Sequence, residues 1–139
     1  MIQFARASFS IHSTETDPDR ITEALGLQPT KVGRIGEGRG LGKPRSRHYW
    51  GVDGPRLGNT EEDQTGSAAL AELVSIMRPA AGKVQNLPAD CDAAIWWSAD
   101  SDSTQGGFVL PAELLSALAE LGVPLFGTIY VESDDEPDA

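Results

Sequence analysis

The sequence is poor in the residues that reaction chemistry most often uses. Its 139 residues hold one cysteine, Cys91, and two histidines, His12 and His48. A single thiol excludes an internal disulfide and fits a reducing compartment. Neither imidazole stands in a zinc-type spacing, and Cys91 has no cysteine or histidine near it in sequence. No G-x-S-x-G elbow is present. No run reaches the roughly 18 apolar residues that cross a membrane. The start, MIQFARASFS, lacks a basic stretch followed by an apolar block, so a cytoplasmic location and no membrane partner are expected.

Glycine is plentiful, but not in phosphate-binding order. In GRIGEGRGLGK (residues 33–43), Gly42-Lys43 is followed by Pro44 and the position five before Gly42 is Glu37, so no P-loop is formed. The dinucleotide pattern G-x-G-x-x-G fails at Leu41 and at Lys43. Asp100 and Asp102 supply only the first two positions of a calcium loop. No catalytic residue, metal or cofactor is therefore expected, and the chain reads as a non-enzyme.

What is present is charge, unevenly spread. The net charge is −10, yet residues 31–56 carry seven bases against two acids, +5, which leaves −15 for the rest. An acidic body favours solubility and suits a basic partner. The cations of the glycine segment, Arg34, Arg39, Lys43, Arg45 and Arg47, are candidate contacts for an anion or a nucleic-acid backbone. The bland reading of that segment is a flexible loop (residues 31–47) whose cations balance the acidic body.

Local punctuation is clearest at DPDRITEALGLQPT (residues 17–30). Asp17 is an N-cap, Pro18 suits the first helical position, Asp19 complements the helix dipole, and Gly26 is placed for a left-handed C-cap. Ile21 and Leu25 give the short helix one apolar face. Before it, residues 4–11 alternate with period two, predicting a half-buried strand. Residues 47–52 read as a second strand. Ser67 is expected to cap a helix over residues 68–78, with Leu70, Leu73, Val74 and Met77 as its stripe. Residues 92–99 read as a strand, 108–110 as a short edge strand, and 125–131 as the last strand. Pro111 opens a third helix that Gly122 caps and Pro124 stops. Five acids in residues 132–139 predict a disordered tail after a single globular domain spanning residues 1–131. The expected fold is α+β, a two-layer sandwich with helices on one face of a mainly antiparallel sheet. The segments 4–29 and 92–124 echo each other, as two β-α pseudo-repeats would.

The chain now resembles a known family. An aromatic strand is followed by DP-x-x-I-x-x-x-LGL-x-PT, a Gly-Glu pair, a Tyr-Trp strand, and near the end a helix finishing in LG and a strand finishing in IYV. The residues carrying this are Asp17, Pro18, Ile21, Leu25, Gly26, Leu27, Pro29, Thr30, Gly36, Glu37, Trp50, Leu121, Gly122, Ile129 and Tyr130. The pattern is similar to the uncharacterised bacterial family called domain of unknown function 4279, over about residues 4–131. The resemblance implies an α+β domain with no assigned reaction and no catalytic residues to carry over. Small acidic bacterial proteins of this kind are similar, as a class, to immunity proteins that neutralise toxins.

Trp50, Trp96 and Trp97 are the candidate partner contacts, because aromatic side chains anchor interfaces. Adjacent residues of a strand point to opposite faces, so one of Trp96 and Trp97 must look away from the helices. The expected function is a protein-binding module, with immunity-type neutralisation as one version. The alternative is nucleic-acid or anion binding through residues 31–47.

Overall fold

Alternation shapes the longest strand and, through it, the two layers. In the computed structural model, which describes residues 1–38 and 42–131, β1 (Ile2–Ser13) buries Ala5, Ala7, Phe9, Ile11 and Ser13 on one side. Arg39 and the expected acidic tail, 132–139, lie outside the described residues. Around β1 are β2 (Lys31–Gly33), β3 (His48–Asp53), β4 (Leu57–Gly58), β5 (Asp92–Ser101) and β6 (Leu125–Val131). They form one open sheet in the order β2-β3-β1-β5-β6, with β4 paired to the start of β1. All pairings are antiparallel except β5 with β6. The helices are α1 (Pro18–Leu25), α2 (Ser67–Met77) and α3 (Ala112–Leu121). This is the α+β sandwich that the patterning predicts.

The core lies between the helices and one sheet face. Phe9 stands opposite Val52 of β3 and Ile95 of β5 in the ladders. Its ring meets Trp50 edge-on, with centroids 6.3 Å apart. Ile21 and Leu25 of α1, Leu70, Leu73 and Met77 of α2, and Leu114, Leu118 and Leu121 of α3 close over them. Two indole N–H groups inside this layer are satisfied: Trp50 Nε1 donates to Thr22 Oγ1 at 3.0 Å, and Trp97 Nε1 to the Gly66 carbonyl at 3.0 Å. Gly66 needs to be glycine, because its φ is 79° and a Cβ would stand 2.8 Å from that of Ala5.

α1 is built as its sequence indicates. The Asp17 carboxylate accepts from the Asp19 N–H, and Gly26 adopts φ 66°, donating to the Thr22 carbonyl. Gly122 closes α3 with nearly the same geometry, φ 67°. The helices α1 and α3 thus both end on a left-handed glycine. α2 departs from expectation. Ser67 is already its first helical residue; Asp63 does the capping, its carboxylate accepting from Ala68 N at 3.0 Å. Residues 108–110 form no ladder, because Phe108 instead leans on Trp97 with centroids 5.6 Å apart. The glycine segment begins as a real strand, Val32 pairing opposite Trp50.

A carboxylate ties the loop before α1 to the segment before β5. Asp90 accepts from the N–H groups of Glu15 and Thr16 at 2.9 and 2.8 Å, and from Thr16 Oγ1 at 2.8 Å. The Thr16 hydroxyl and those two amides hold its carboxyl down at about 2. A depressed carboxylate stabilises above its unfolded pKa and ceases to as pH falls through the folded one. Wild-type protein is therefore expected to lose stability between pH 4 and pH 2 more steeply than Asp90→Asn, read as urea midpoints across that range. The layers make a second prediction. Trp50→Ala should cost roughly 3–5 kcal/mol in denaturant unfolding followed by circular dichroism. Trp96→Ala, on the other face, should cost only about 1 kcal/mol.

Candidate functional site

No described helix covers the second face of the sheet, and its residues follow from strand parity. β1 contributes Arg6, Ser8, Ser10 and His12; β3 contributes Tyr49 and Gly51; β5 contributes Trp96 and Ser98; β6 contributes Phe126, Thr128 and Tyr130. The centre of the face is a floor of small residues, Ser8, Ser10, Gly51 and Ser98. Aromatic side chains rise on either side of it.

On one side, Trp96 and Phe126 are direct neighbours in the β5–β6 ladder and stack, with centroids 4.6 Å apart and planes 19° apart. Trp96 Nε1 donates to Ser10 Oγ at 2.8 Å, which fixes the ring's direction across the sheet. Yet Trp96 is 46% exposed, Phe126 48% and Tyr130 61%. On the other side, His12 meets Tyr49 edge-on at 5.3 Å, and the Arg45 guanidinium stands 5.7 Å from the Tyr49 ring centroid. Gly51 and Gly33 make this possible: a Cβ on Gly51 would collide with the Tyr49 hydroxyl, and one on Gly33 with the Arg45 guanidinium. Burial, followed by the nearby Asp53 charge, pushes the Tyr49 phenol up, so it stays a neutral hydroxyl.

Three shallow depressions lie on this face, with volumes of about 680, 580 and 580 Å³. Their linings hold six cations, Arg6, Arg56, Lys31, Lys43, Arg45 and Arg47, and one carboxylate, Asp53. Arg56 covers the Phe4 ring at 3.9 Å and reaches Asp100 at 3.7 Å. Among the described residues, Lys31, Lys43, Arg45 and Arg47 make no ion pair. The segment that carries them is held by its own backbone, Gly36 N–H to the Arg45 carbonyl and Arg45 N–H to the Glu37 carbonyl, each at 2.9 Å.

The structure separates the candidate residues. Trp50 is fully buried and Trp97 nearly so, which corrects their candidacy as partner contacts: both are spent on the core and both indoles are bonded inside it. Trp96 alone of the three reaches solvent. Arg34 is engaged at the start of α1, 3.1 Å from Asp17 and 3.2 Å from Asp19. Its guanidinium holds the Asp17 carboxyl below the usual range. Arg39 lies outside the described residues, whereas Lys43, Arg45 and Arg47 gather near His12. Sequence reasoning missed Phe126, Tyr130, Arg6, Arg56 and Lys31. Parity within each strand was readable, but which strands lie side by side was not.

The reactive groups are dispersed. His48 Nδ1 accepts the Ile35 N–H at 3.2 Å, and burial raises the Cys91 thiol. Among the described residues, no three of His, Cys, Asp or Glu come together as metal ligands would. No described helix is long and apolar enough to cross a membrane.

Comparison with known proteins gives one result. Neither a curated protein nor a solved structure matches the chain. The sequence model of the family described as domain of unknown function (DUF4279) matches residues 3–132. That span takes in all the described strands and helices except Ile2, the first residue of β1, and the chain belongs to the DUF4279 family.

Proposed function

We propose that the protein is a non-enzymatic binding module that docks a partner protein through the uncovered sheet face, with Trp96 as its anchor. The observation that carries this reading is the Trp96–Phe126 stack, half exposed on a face that no described helix covers. Large rigid aromatics held in place lose little entropy on binding and are common hot spots. Neutralisation of a toxin by an immunity-type protein is one version of this role.

Charge refines the partner. The acids that suggested a basic partner include Asp19, Glu23, Glu72, Glu113 and Glu120, all exposed on the helices. The docking face is lined by cations, so the matching surface is acidic. A partner recovered at low salt should release as salt rises. Trp96→Ala should weaken it at least about tenfold, the equivalent of about 1.4 kcal/mol. Glu113→Ala with Glu120→Ala, on α3, should leave affinity unchanged. Recovery of nothing at low salt, or affinity indifferent to Trp96→Ala, defeats the proposal.

A second reading, nucleic-acid or anion binding through residues 31–47, is favoured by Lys31, Lys43, Arg45 and Arg47, which line the depressions beside His12 and Tyr49 and make no ion pair among the described residues. In a gel-shift titration, single-stranded RNA would bind with steep salt dependence. The triple variant Lys43→Ala, Arg45→Ala, Arg47→Ala would flatten that slope by about 2. Absence of any shift at low ionic strength removes this reading.

A further inference from the structure

We infer that β6 is a self-pairing edge, joining β6 of a second copy in an antiparallel ladder centred on Thr128. This goes beyond the docking proposal and does not depend on it.

The outer backbone of β6 is unpaired among the described residues, since the sheet order ends there. Exposed edges are normally guarded by lysine, proline, a bulge or extreme shortness. β6, LFGTIYV, has none of these guards: it contains no charge and no proline, and it pairs with β5 over seven consecutive positions. The opposite edge is different, because β2 is three residues long and begins with Lys31.

The strand also fits itself. Antiparallel pairing about Thr128 sets Phe126 against Tyr130 of the second copy, Gly127 against Ile129, and Leu125 against Val131. Faces agree at every pair. Phe126 and Tyr130 lie on the uncovered face, so an aromatic pair forms there twice, once on each side of the axis. On the helix side the layer stops short of β6, leaving an apolar hollow of about 330 Å³ whose walls include Leu70, Trp97, Phe108 and Ile129. Gly127 lies at this hollow without a side chain to fill it. Ile129 of the second copy would stand beside Gly127 and close it. An antiparallel pair made of two identical strands has the two-fold symmetry that closed dimers require.

Charge selects the orientation. Val131 is followed in sequence by five acids within residues 132–139. Parallel pairing would start two such segments side by side. Antiparallel pairing starts them at opposite ends of the ladder, roughly 20 Å apart at strand spacing, beyond the screening length of about 8 Å at physiological salt. One strand pair and a hollow make a small interface, so association should be reversible, with roughly micromolar dissociation.

Sedimentation velocity of the full chain from micromolar to millimolar concentration tests this. The mass should climb from 14.8 kDa towards its double. Thr128→Lys, which sets two ammonium groups opposite each other on the axis, should hold the chain monomeric. Thr128 is exposed, and circular dichroism checks that the variant folds. A second arm reads the register without destabilising charge. In a Cys91→Ser background, Thr128→Cys should oxidise to a covalent dimer, whereas Leu125→Cys, paired with Val131, should not. A monomer at every concentration overturns the inference. So does a dimer that survives Thr128→Lys, or cross-linking at position 125 instead of 128.

Discussion

The pleat of β1 and β5 commits each side chain to one of two faces, and the described helices cover one face only. Most of what is distinctive in this protein follows from that constraint. Trp96 and Trp97 are chemically the same and adjacent, yet one is in the core and the other stands in water. Trp97 crosses under α2 to bond the Gly66 carbonyl, so it fixes where that helix begins. Trp96 crosses the floor to bond Ser10, so it fixes an exposed ring in one direction. A one-residue slip of β5 against β1 would exchange these roles and expose the whole inner set of side chains.

The same division sorts charge. The chain is strongly acidic as a whole, but the uncovered face concentrates cations around Tyr49 and at Arg6 and Arg56. Although the chain's net charge is negative, a molecule within a screening length of this face meets a positive, aromatic surface. Two glycines, Gly33 and Gly51, sustain it by giving the Arg45 and Tyr49 side chains room to lie along the sheet.

How much was legible beforehand depended on the range of the interaction concerned. α1 was readable to the residue, since Asp17, Pro18 and Gly26 act within one turn of themselves. The two-layer class followed from the alternation in β1 and the stripes of α2 and α3. The cap of α2 was misassigned to Ser67 because the true acceptor, Asp63, reaches in from a preceding loop. The strand expected at residues 108–110 failed because Phe108 found Trp97, a contact with a distant element. Trp50 looked available until α1 was laid over it. The aromatic partners of Trp96 were hidden for a related reason: only the parallel β5–β6 register brings Phe126 beside it.

The uneven fate of the three tryptophans has an optical consequence. Two indoles are enclosed and hydrogen-bonded within protein, and the third samples solvent beside the floor of the face proposed for docking. The intrinsic fluorescence of the native chain is therefore expected to contain a red-edge component belonging to Trp96. A blue shift or quenching confined to that component would register occupancy of the face in unlabelled protein, while the enclosed pair supplies an internal reference for folding.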